Sequence, residues 1–156
     1  MQLGKWFDYM RENGVYDNTR IILVADHGRG LYLNWDRVID NGPDTDFFFP
    51  LLMVKDFNAK GFSFSDTFMT TADVPTLATS GLIDNPTNPF TGNAINANAK
   101  YDRPFYAFMS YDWDTSKNNG NQFFPGTWYR VDNQNARDKR NWVMVGENTV
   151  LPDALR

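Results

Sequence analysis

The sequence predicts an α/β fold, with mainly parallel buried strands and covering helices, followed by a small antiparallel β-rich part. Three observations predict it. One is the run Arg20-Ile21-Ile22-Leu23-Val24-Ala25, whose β-branched, unbroken apolar texture reads as a strand buried on both faces. Another is a helical stripe directly before that run. The third is a change of texture after Asn85, where polar loops separate short aromatic runs.

In chain order, Leu3, Trp6, Phe7 and Met10 fall at i, i+3, i+4 and i+7, one apolar face of a helix over 3–13. Lys5, Asp8, Arg11 and Glu12 take the other face, and Asn13-Gly14 supplies a stop. Tyr16-Asp17-Asn18-Thr19 is turn chemistry, because Asn, Asp and Thr bond their own backbone. Leu51-Leu52-Met53-Val54-Lys55 reads as a second buried strand, expected parallel to the first. The preceding Phe47-Phe48-Phe49 reads as core packing. Residues 56–66 form a loop. A short second helix follows, with Thr71 or Asp73 as cap, Pro75 in its first turn and Gly81 at its end. Residues 85–98 form a long polar loop. The aromatic runs 104–111, 127–131 and 142–145 are read as two to four antiparallel strands, with 114–122 as a turn-rich connector. The organisation expected is 1–84 as one part and 85–156 as a second, β-rich part.

Composition bounds the function. The 156 residues are 42% hydrophobic and 22% charged, which suits a folded domain and not a disordered one. A net charge of -4 argues against a nucleic-acid surface. The negative excess sits early: residues 1–98 hold 12 acids and 7 bases, residues 99–156 hold 7 acids and 8 bases. The absence of Cys excludes disulfides, zinc-thiolate sites and cysteine nucleophiles. No apolar run approaches the ~18 residues of a membrane span. Met1-Gln2 leads straight into helical periodicity, so a part of a longer protein is expected.

The chemistry concentrates where the first strand stops, at Asp26-His27-Gly28, and His27 is the only histidine. Strand ends of open α/β sheets are where such folds place their chemistry. Asp26 offers a hard oxygen and His27 a borderline nitrogen, half of a metal site. The plainer reading is a turn that only caps the strand. Arg29 either steers an anionic substrate or pairs with an acid. The 25 aromatics serve packing first, though rings on a sheet can also stack on sugars.

Several stretches come together in one order: Leu3 to Met10, Tyr16-Asp17-Asn18-Thr19, Ile21 to Gly28, Pro50 to Lys55, and Ala72-Asp73-Val74-Pro75-Thr76-Leu77. Taken together they resemble the C-terminal part of the sulfatase-like branch of the alkaline phosphatase superfamily. They look most like membrane-anchored phosphoglycerol transferases of the lipoteichoic acid synthase type. The resemblance covers about half the chain and fades beyond Gly81. It implies the C-terminal portion of an alkaline-phosphatase-like sandwich. It also implies Asp26 and His27 as ligands of a divalent metal, manganese or zinc ahead of calcium, and a phosphate- or sulfate-ester substrate. The parent would sit on the extracytoplasmic face of a bacterial membrane. The family's Thr, Ser or formylglycine nucleophile and its acidic ligands lie upstream of the matched stretches. Thr70 and Thr71 stand in the wrong place for that role, so no catalytic residue is nominated. The chain is expected to be inactive alone and to self-associate through open sheet edges. The alternative is a non-catalytic, degenerate domain that binds a glycan or protein partner.

Overall fold

A computed structural model describes residues 2–30, 35–110 and 124–155. The expected connector at 114–122 lies outside the described residues. The chain divides into two units that alternate along the sequence: Met1–His27 with Pro50–Ala97, and Gly28–Phe49 with Asn98–Arg156.

The first unit opens with helix α1, Gln2–Glu12. Its end shows why Asn13-Gly14 is a stop. Gly14 takes φ +68°, a left-handed conformation that costs glycine little. The Gly14 N–H then donates to the Arg11 carbonyl and the Val15 N–H to that of Met10, both closing the helix end in a Schellman motif. Met10 is buried. Trp6 and Leu3, on the same predicted face, stay 48% and 38% exposed, so the stripe is only partly covered.

Strand β1, Ile21–Val24, pairs with β2, Leu52–Lys55. Here the fold expectation is corrected. The two strands are antiparallel, with Ile21 opposite Lys55 and Val24 opposite Leu52, and they form a sheet of two. With the second sheet also antiparallel, the molecule is not a parallel alkaline-phosphatase-like sandwich. The reason is the connection. Parallel neighbours need a crossover, usually a helix. Between β1 and β2 the described residues hold only two 3-10 turns, Trp35–Arg37 and Thr45–Phe48, and the chain comes back on itself. An apolar run specifies a strand but not its direction. Burial is lighter than expected too: Ile21 is buried, whereas Val24, Met53 and Val54 are each more than 40% exposed.

Two cations tie this unit together. The Arg20 side chain, 11% exposed, donates through Nη1 to the carbonyls of Leu77, Ala78 and Ser80 at 2.9, 3.2 and 2.7 Å. These lie at the C-terminal end of helix α2, Val74–Thr79, where carbonyls lack intrahelical partners. The same guanidinium donates through Nε to Asp56 at 2.9 Å. The Phe57 backbone N–H, and then Arg20, hold the Asp56 carboxyl below its usual range. Lys55 does similar work on the turn before β1. Its Nζ donates to the carbonyls of Tyr16, Asp17 and Thr19, which uses the ammonium's three protons. Helix α2 begins after a 3-10 turn, Thr71–Asp73, where the Asp73 carboxylate accepts the Thr70 N–H at 2.7 Å.

The second unit is built on an antiparallel sheet, β3 (Phe105–Met109), β4 (Gly126–Val131) and β5 (Trp142–Thr149), in that order. Its core is Tyr129, Val131 and Trp142, with Phe48, Ile39 and Phe105 against them. Phe48 stands 4.8 Å from Trp142 and 6.3 Å from Tyr129, centroid to centroid. The Trp142 indole N–H donates to the Ala136 carbonyl at 2.9 Å, which satisfies its one polar atom. Asn133 and Gln134, both at positive φ, turn the chain between β4 and β5, and Gln134 Nε2 donates to the Tyr101 carbonyl at 2.6 Å. Asp138 caps the 3-10 turn Lys139–Asn141 and pairs with Arg140 at 2.6 Å. Among the described residues no helix is long and apolar enough to cross a membrane.

Two outcomes are expected. Arg20→Ala should cost about 1–2 kcal/mol in denaturant unfolding of the first unit, because it removes four hydrogen bonds that one half-buried side chain makes to α2 and to Asp56. Arg20→Lys should recover less than half, since an ammonium lacks the guanidinium fork. Hydrogen exchange at β1 and β2 amides reads both. Arg140 lowers the Asp138 pKa from its ordinary 3.8 to about 2, first through its side chain and then through its backbone N–H. A depressed folded pKa contributes stability that is present above the unfolded value and lost as pH falls through the folded one. The contribution should be whole above about pH 4 and fade towards pH 2. Arg140→Gln should flatten that part of an acid titration followed by circular dichroism.

Candidate metal site

The ladder of β1 and β2 runs one residue past β1, where the Ala25 N–H donates to the Leu51 carbonyl at 2.9 Å. The chain leaves the sheet at the next residue. Asp26 and His27 are therefore the first residues beyond the strand pairing. They are 90% and 71% exposed. Asp26 Oδ1 accepts the His27 backbone N–H at 3.0 Å, which fixes the carboxylate beside the imidazole. His27 Nε2 then lies 3.9 Å from Asp26 Oδ1. A metal ion at ~2.0–2.2 Å from each ligand would reach both only at an angle wider than tetrahedral, so one of these exposed side chains would turn to hold it. The donor set fits a borderline divalent ion, a carboxylate oxygen with an imidazole nitrogen.

The structure brings together two of the three predicted residues in the first unit. Arg29 belongs to the second unit, is exposed, and makes no ion pair with any described residue. Among the described residues no group of three or more His, Cys, Asp or Glu side chains could hold a metal. Asp26 and His27 thus form a pair of donors and not a closed site.

Gly28 ends the motif for a reason that sequence reading missed. Its N–H donates to the Phe47 carbonyl at 2.8 Å. A Cβ at this position would overlap the Asp46 carbonyl oxygen and stand 2.6 Å from that of Phe49. Gly30 is similarly confined, against the Phe47 ring. The glycines at 28 and 30 are the only sequence signal of this close approach. The segment they press against is itself fixed. The buried Asp44 accepts the Asp46 N–H at 3.0 Å to start the turn Thr45–Phe48, and Arg37 pairs with Asp46.

In comparisons with known proteins, no family model, no curated protein and no solved structure matches this chain.

Gly28→Ala should cost at least ~2 kcal/mol, because backbone carbonyls cannot yield as a side chain can. Thermal unfolding of this variant beside Gly4→Ala, where a Cβ meets nothing, isolates the effect.

Proposed function

We propose that this chain is part of a metal-dependent enzyme that hydrolyses or transfers phosphate or sulfate esters, of phosphoglycerol transferase or sulfatase type. In this reading the chain is related to the sulfatase-like branch of the alkaline phosphatase superfamily, and its parent works at the extracytoplasmic face of a bacterial membrane. Asp26 and His27 supply two ligands to a divalent ion, manganese or zinc ahead of calcium. The observation that carries the reading is the exposed carboxylate and imidazole set 3.9 Å apart where β1 ends. When bound, the metal would lower the pKa of a nucleophile and neutralise charge on the transferring group. Asp26 contributes the anionic donor. His27 contributes a neutral nitrogen, so proton and metal compete for it. Arg29 is assigned to binding the anionic ester, a planar charge suited to paired oxygens.

Catalytic zinc sites usually draw about three ligands from protein, so two donors alone should hold metal weakly. The expected result for this chain is little or no retained manganese or zinc, and no turnover of p-nitrophenyl phosphate, bis-p-nitrophenyl phosphate or p-nitrophenyl sulfate. In the longer parent, Asp26→Ala or His27→Ala should each lower metal content and cut turnover by ~100-fold or more, with the melting temperature held. Full metal and full turnover in the His27→Ala parent would overturn the assignment and leave the motif as a strand cap. The competing reading, a non-catalytic domain for a glycan or protein partner, is favoured by the Phe108 and Trp128 rings, cross-strand partners 4.8 Å apart. Retention of this chain on immobilised glycan, alongside that overturning result, would select it.

Self-association belongs to the same proposal. The hydrogen-bonded pair at Ala25 and Leu51 sets the alternation of the ladder, so Ile22 and Val24 turn their N–H and C=O groups to the outer edge of β1. No charged residue or proline guards that edge within Ile21–Val24. Light scattering over a concentration series should show mass rising above the 18.0 kDa monomer, and a constant monomer mass would refute it.

A further inference from the structure

We draw no further inference here: the strongest candidate, the exposed aromatic loop after β2 where Phe62 and Phe64 stand edge to face at 72% and 91% exposure, carries nothing because nothing in the structure shows what covers it.

Discussion

The Arg20 guanidinium holds three carbonyl oxygens and a carboxylate at once, and the first unit is arranged around it. It stands at the start of β1, receives the end of α2, and fixes Asp56 just beyond β2. Few side chains in this unit are fully buried, so hydrophobic burial does not by itself decide the arrangement. Directional bonds from two half-buried cations fill that role. Each gathers several backbone carbonyls from a helix end or a turn onto one side chain. Lys55 repeats the device on the turn before β1, from its place opposite Ile21 in the ladder.

The same dependence on local bonds explains what was legible in the sequence. The helix at 3–13, its Asn-Gly stop and the Pro75 start of the second helix follow from a few neighbouring residues, and α1 and α2 lie there. The strand identities of Ile21–Val24 and Leu52–Lys55 follow from β-branched texture. Their mutual direction does not. It is set by whether residues between them make a crossover, and that stretch offers turns at Asp36 and Asp44 rather than a helical stripe. A polar partner for Arg20 or Lys55 was also illegible, because backbone carbonyls carry no mark in the sequence.

At the site, the adjacency of Asp26 and His27 was readable, and their exposure follows from standing just past the last ladder bond at Ala25. No third ligand was readable, and among the described residues no group of three or more His, Cys, Asp or Glu could hold a metal. Gly28 was legible as a glycine and illegible as a contact. Its closeness to the Asp46 and Phe49 carbonyls is a property of the second unit's loop and not of the motif.

The alternation of the two units along the chain bears on how the molecule comes to be folded. β4 and β5 are joined by a short connection, so Val131 meets Trp142 at small loop-closure cost. Val24 and Leu52 meet across the whole of Gly28–Phe49, a longer loop, and that intervening piece carries Phe48, a ring of the other unit's core. Pairing of long contact order is slow. The hairpin of aromatic strands therefore closes the shorter loop, and the ladder that presents Asp26 and His27 the longer one. The two donors thus stand on the pairing that costs the chain more entropy to close, and loosening Gly28–Phe49 would be felt first at Asp26 and His27.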